Sequence, residues 1–139
     1  MRKSRLIIIA AAASLALAGQ SPADETVTPA ATEVQPINRI PLQRFEVPDT
    51  DYETIIGIAE IAPNVNVGRH THPGPESGYA IEGSFELLIE GEAPRMIHAG
   101  ESYLVPANVA HDARTGPDGA KVIATYLIPG GQPISSPVE

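Results

Sequence analysis

Between Glu53 and Ile128 the chain is cut into short apolar runs, none longer than about ten residues, and each closes on glycine, proline or asparagine. The runs are Glu53–Ala62, Gly78–Glu82, Ser84–Ile89, Arg95–Ile97, Ser102–Val105 and Ala120–Ile128. They are separated by Gly83, Gly91, Gly100, Pro106 and Gly116-Pro117. Val65-Asn66-Val67 resumes an alternation that reaches His70 and His72. Runs of this length, rich in β-branched residues and bounded by turn formers, are strands. No amphipathic helical segment of ten or more residues follows the amino-terminal region. Closely spaced strands with turn signals predict an all-β fold, a sandwich or a single barrel. A length of 139 residues fits one such domain.

The amino terminus is organised differently. Arg2, Lys3 and Arg5 precede the apolar run Leu6 to Ala18, which closes in Ala16-Leu17-Ala18 ahead of Gly19. A charged start, a short apolar run and a small-residue cleavage site are the marks of a secretory signal. The run is shorter than the roughly 20 apolar residues a spanning helix needs. We therefore expect a signal peptide over residues 1–18, cleavage near Ala18, and a periplasmic or secreted protein with no stable membrane insertion afterwards. Residues 19–36, rich in Ser, Thr, Pro, Ala and Gln, read as a flexible linker. The barrel domain is expected over 37–130. A C-terminal tail is expected over 131–139; from Pro129 onward three prolines, the adjacent Gly130 and Gly131 and the adjacent Ser135 and Ser136 oppose an interior strand.

The chain contains no cysteine, so disulfides and thiolate metal sites are excluded, and any metal must be held by nitrogen and oxygen. His70 and His72 lie two apart in a segment read as extended, so both imidazoles share one face while Arg69 and Thr71 point away. Pro73-Gly74-Pro75 is a turn-favouring run that can return Glu76 toward the same point. His111, after the turn-rich Pro106-Ala107-Asn108, can complete the set from a distant strand. Taken alone, a His-x-His pair is also compatible with an exposed surface pair, and a later histidine with a structural one.

The stretch His70-x-His72-x3-Glu76-x6-Gly83 resembles the first motif of the cupin superfamily, and Gly100-x5-Pro106-x-Asn108-x2-His111 resembles the second. The spacing between them is similar to that of small single-domain bacterial cupins. Three positions depart from the pattern: Asn64 stands at the upstream glycine, Asn108 at the second motif's glycine, and Thr115 at its closing asparagine. Asparagine tolerates positive φ better than most residues, so Asn108 can make the same turn. The resemblance implies an all-β double-stranded β-helix, or jelly-roll, barrel. Inside it one divalent transition metal ion would be held by His70, His72, Glu76 and His111. Those ligands do not choose among Mn, Fe, Co, Ni, Cu and Zn. Loading outside the cytoplasm would favour Cu and Zn.

His98 lies outside both motifs and is expected in an exposed loop. Tyr79, Tyr103 and Tyr126 are read as packing residues, one of which can support the metal ligands. The net charge is −8, and loss of residues 1–18 leaves 6 bases against 17 acids, a net charge of −11. Such a surface repels nucleic acid and anionic lipid. The expected partner is a small organic ligand or substrate, with an apolar barrel lining and with Arg69 and Arg114 facing outward. Three functions fit an open metal site: an oxygenase, placed first because many relatives of the resembled family are oxygenases; a non-redox isomerase or lyase; and a non-catalytic binding module. A homodimer is also expected, because the strand alternation is too weak to leave one sheet face cleanly polar.

Overall fold

The computed structural model describes residues 36–139. The expected signal peptide, and all but the last residue of the expected linker, lie outside them. Eight strands follow in order: β1 (Ile37–Glu46), β2 (Tyr52–Ile61), β3 (His70–Thr71), β4 (Glu76–Ile89), β5 (Arg95–His98), β6 (Ser102–Val105), β7 (His111–Pro129) and β8 (Ser136–Pro137). Among the described residues there is no helix, and hence none long and apolar enough to cross a membrane.

Every strand pair is antiparallel. The 19-residue β7 organises the sheet. Its C-terminal half pairs with β2 on one edge and β4 on the other, and its N-terminal half pairs with β4 and, through His111, with β3. β4 also carries β5 and β6, so the sheet curls on itself as an all-β barrel, the architecture that the resemblance implies. The alternation read from the sequence sets which side chains enter the curl. Phe85, Leu87 and Ile89 alternate inward along β4, as do Tyr103 and Val105 on β6 and Val122 and Ala124 on β7. Phe85 and Tyr103 meet edge-on with ring centres 5.5 Å apart. Burying a Phe, Ile or Val side chain of this core contributes about 1.5–3 kcal/mol each.

Two predicted strands, Gly78–Glu82 and Ser84–Ile89, are one continuous strand. Gly83 absorbs a break in register instead of ending the strand. It sits at φ 70°, and a Cβ there would stand 2.1 Å from the Gly119 carbonyl oxygen, so the bulge needs glycine. Likewise the predicted Ala120–Ile128 is the C-terminal part of β7. The β4 pairing skips from Thr115 to Ala120, which carries Gly116-Pro117 past the ladder without ending the strand. His98 is exposed as expected but ends β5, opposite Ser84, and is not in a loop.

Two strands escaped the sequence reading. β1 is an edge strand, the place where Pro41 is tolerated, and Arg44 clamps it to β2 through two hydrogen bonds to Glu53 at 2.6 and 2.7 Å. β8 is two residues of the segment 131–139. Those residues pair with Thr71 and His70, and Val138 N–H donates to the Arg69 carbonyl.

Candidate metal centre

Backbone register does most of the assembly. His70 and His111 are direct partners across β3 and β7, and Glu76 is the partner of Tyr126 across β4 and β7. His72 follows one residue beyond β3, where its carbonyl accepts the Asn108 N–H at 2.8 Å. That bond joins the two histidine-bearing segments. Asn108 adopts φ 62° and Asn64 φ 57°, so both asparagines standing in place of glycine make the left-handed turns their positions demand. Thr115, the third departure, is buried. Its hydroxyl donates to the Ala62 carbonyl at 2.7 Å and accepts the Val65 N–H at 2.9 Å. Asp112, adjacent to His111, is buried too, and its carboxylate accepts the N–H groups of Gly68 and Ala113. It thereby fixes the turn that delivers His70.

The result brings together the side chains singled out in the sequence. Ligand nitrogens of His70, His72 and His111 all lie within 4.8 Å of one another, so the three imidazoles could hold a metal ion. Glu76 Oε2 stands 3.0 Å from His72 Nε2 and 3.4 Å from His111 Nε2. His72, Glu76 and His111 are buried, and His70 is half-buried.

The tautomers follow from the partners. His70 Nδ1 lies 2.7 Å from the Gly68 carbonyl, His72 Nδ1 2.6 Å from that of Ile134, and His111 Nδ1 3.0 Å from that of Val109. A carbonyl only accepts, so each Nδ1 carries the proton, and in the neutral ring each Nε2 presents a lone pair. Nε2 of His72 and of His111 are buried and make no hydrogen bond of acceptable geometry, despite the nearby carboxylate. Buried polar atoms are rarely left so. Imidazoles anchored at Nδ1, with unsatisfied Nε2 atoms turned toward a carboxylate, fit a transition metal.

The electrostatics agree. Burial pushes the Glu76 carboxyl up, but the adjacent His111 and His72 nitrogens and the Tyr103 hydroxyl outweigh it and hold it at about 2. Glu76 is therefore an anion at neutral pH. Burial depresses His70, which lies below its ordinary value and is neutral. His111 is raised, since Glu76 and the Val109 carbonyl together overcome its burial.

Two tyrosines complete the surroundings. Tyr103 O–H donates to Glu76 Oε1 at 2.8 Å, leaving Oε2 to face the histidines. Gly78 makes that reach possible, because a Cβ there would stand 2.2 Å from the Tyr103 ring. Tyr126 packs against His72 with ring centres 4.8 Å apart, and burial followed by the Glu76 charge raises its hydroxyl well above the usual range. Tyr79 is exposed. The parity of the strands did not separate these three in the sequence; the cross-strand pairing of Gly78 with Tyr103 and of Glu76 with Tyr126 does.

Two cavities meet at His70 and Tyr126, and a third, about 250 Å³, touches His111 from the side of Arg69 and Arg114. Of the first two, a small interior one, about 70 Å³, is bounded by His70, Glu76, His111, Tyr103 and Tyr126. A larger one, about 380 Å³, opens over His70, His72 and Tyr126 and is walled by Ile40, Ile55, Ile56, Ile58, Ala59, Ala124 and Ile134. Arg69 and Arg114 lie outside these two, as expected, paired with Glu90 and Glu86. Arg39, which lines both, had no sequence signal beyond its place in the unrecognised β1.

A family profile described as Cupin domain matches residues 57–126, half of the chain. Among curated proteins, the dimethylsulfoniopropionate lyase DddW of Ruegeria pomeroyi strain DSS-3 is 33% identical over 69 residues, which are 50% of this chain and 45% of that protein. The chain thus spans about half the length of the curated relative it matches. Among solved structures, the dimethylsulfoniopropionate lyase DddQ from Ruegeria pomeroyi DSS-3 superposes with a TM-score of 0.57 at 19% identity, over 64% of this chain and 44% of that one. A cupin superfamily protein from Desulfitobacterium hafniense DCB-2 also gives 0.57, at 18% identity, over 70% and 82%. These structural likenesses concern the fold.

Proposed function

The chain belongs to the cupin domain family, and from that premise we propose that it binds one divalent transition metal ion on His70, His72, Glu76 and His111 and acts as a metal-dependent lyase on a small organic molecule. The observation that carries the reading is the pair of buried, unsatisfied Nε2 atoms of His72 and His111 beside the Glu76 carboxylate. A bound ion would act as a Lewis acid on a substrate oxygen, lowering the cost of charge that develops there. The chain's own residues supply the rest. The isoleucine walls exclude water, Tyr103 holds Glu76 in one orientation, and Tyr126 is the hydroxyl shared by both cavities and so the group placed to move a proton.

The lyase reading takes precedence over the oxygenase expected from the sequence for two reasons. The curated relative bears a lyase name, and elimination needs a proton-moving group at the pocket, which Tyr126 provides. Export after cleavage near Ala18 and assembly as a homodimer belong to the same proposal. N-terminal sequencing of the exported protein and sedimentation velocity measure them directly. Metal analysis of protein from its native compartment should find Cu or Zn, and a predominance of Mn or Fe would count against loading outside the cytoplasm.

The deciding experiment loads metal-free protein with each divalent ion in turn. Each form is assayed for elimination from dimethylsulfoniopropionate and, in parallel, for oxygen uptake on a panel of phenols, diketones and thiols. Elimination that disappears in His111→Ala supports the lyase. Oxygen uptake that depends on His111, without elimination, supports the oxygenase instead. Neither activity, with a tightly held metal, leaves a binding module.

A further inference from the structure

The larger cavity is uneven in charge. Around its rim and walls stand isoleucines, alanines, Pro41, Gly57 and Ser135, with the imidazoles of His70 and His72 and the ring of Tyr126 at its floor. No acid lines it, and Arg39 is its one guanidinium. In a chain of net charge −8 an unneutralised cation at a pocket mouth is unusual. Arg44, Arg69, Arg114 and Lys121 each pair with a glutamate; among the described residues Arg39 and Arg95 pair with none, and of these two only Arg39 lines the cavity.

We infer that Arg39 is the specificity-determining anchor for the anionic end of the substrate, so that this site takes small organic acids in preference to neutral molecules of the same shape. The inference rests on the metal-site reading, which it deepens by naming the substrate class. The geometry places the two ends. Arg39 is exposed at the mouth, opposite the small Ala59 on β2, so no bulky partner across the strand pair blocks its guanidinium. It shares both cavities with His70 and Tyr126, so a ligand held by Arg39 lies along the isoleucine wall with its other end toward the histidines. A guanidinium offers a carboxylate two parallel N–H donors, which fix direction as well as charge. At about 380 Å³ the space suits a molecule of modest size with a short aliphatic body. Arg39 also lies outside residues 57–126, so the family match does not supply it.

The test is calorimetric titration of cobalt-loaded protein with butanoate and with butanamide, its neutral counterpart, in wild type, Arg39→Gln and Arg39→Lys. The expected result is a drop of about tenfold or more in butanoate affinity for Arg39→Gln, with butanamide affinity and cobalt stoichiometry unchanged. Arg39→Lys should fall between, because it keeps the charge and loses the fork. The wild-type-to-mutant difference is the quantity read, since a bound ion favours a carboxylate in both. The same titration in metal-free protein reads Arg39 by itself, so a failure of cobalt to bind would sink the metal reading without deciding this one. Undiminished butanoate affinity in Arg39→Gln, an equal loss for butanamide, or binding of neither probe to wild type would overturn the inference.

Discussion

His72 Nδ1 donates to the Ile134 carbonyl at 2.6 Å, so a candidate ligand near the middle of the chain has its tautomer set by the last few residues. The segment that provides this carbonyl is held to β3 by Ser136, Pro137 and Val138. Partners of this kind typically change metal affinity by about 10–100-fold when lost. Removal of residues 131–139 should therefore weaken metal binding by about that factor and leave the β-sheet circular dichroism unchanged, since β8 contributes little to the core. Competition with a chromophoric chelator measures it. Unaltered affinity would show that the barrel alone orients His72.

Metal loading should depend on pH in a stated direction. A proton and an ion compete for His111 Nε2, and because Glu76 and the Val109 carbonyl outweigh burial and raise His111, the proton is held more tightly than on an ordinary histidine. Affinity should be highest above that raised value and fall as pH drops through it. His70, depressed by burial, should add its own loss only at lower pH, and Glu76, at about 2, none in the usual range. For the metal-free fold the sign is opposite for His111. Its raised value stabilises the native state below the unfolded value near 6.5, and that contribution disappears as pH rises through the folded one. Zinc titrations from pH 5.5 to 8.5, with denaturant melts of the metal-free protein, read both. Loading independent of pH would remove His111 Nε2 from the ligand set.

Tyr103→Phe isolates one hydrogen bond. The ring stays, so its edge-on packing with Phe85 persists, but Glu76 Oε1 loses its donor inside a buried site. An unsatisfied buried carboxylate oxygen should destabilise the metal-free protein by about 1–3 kcal/mol in urea unfolding. It should also raise the Glu76 carboxyl. A loss within error of zero would mean that water reaches Oε1.

Much of the fold was legible because strands announce themselves by alternation and by the residues that end them: Ser102–Val105 was read with its observed bounds, and β2 within one residue. The errors share a cause. Gly83 and Gly116-Pro117 look like chain stops in one dimension, yet within a sheet the neighbouring strand continues past them and the irregularity becomes a bulge. β1 was missed because Pro41 argues against a strand unless the strand is an edge, which only the assembled sheet reveals. His70, His72, Glu76 and His111 were legible from spacing and resemblance. Their supports were not: the carbonyls of Gly68, Ile134 and Val109 are anonymous in sequence, and Arg39 and Tyr126 reach the site only through pairing with β2 and β4. Asp112 alone left a trace, as an acid directly beside a candidate ligand that proved to be buried.

Tyr126→Phe separates chemistry from binding. Tyr126 packs on His72 and lines both cavities, and it is not among the candidate ligands, so the phenylalanine ring should preserve the packing and the metal affinity alike. What is lost is the one hydroxyl common to both cavities. If that hydroxyl moves the proton in an elimination, kcat should fall by about 10²–10⁴-fold with KM little changed. Its pH profile should keep the wild-type shape, because burial and the Glu76 charge hold the tyrosine protonated throughout the assay range. A variant that binds metal normally and turns over at the wild-type rate would take Tyr126 out of the reaction and return the proton-moving role to a group on the substrate side of the cavity.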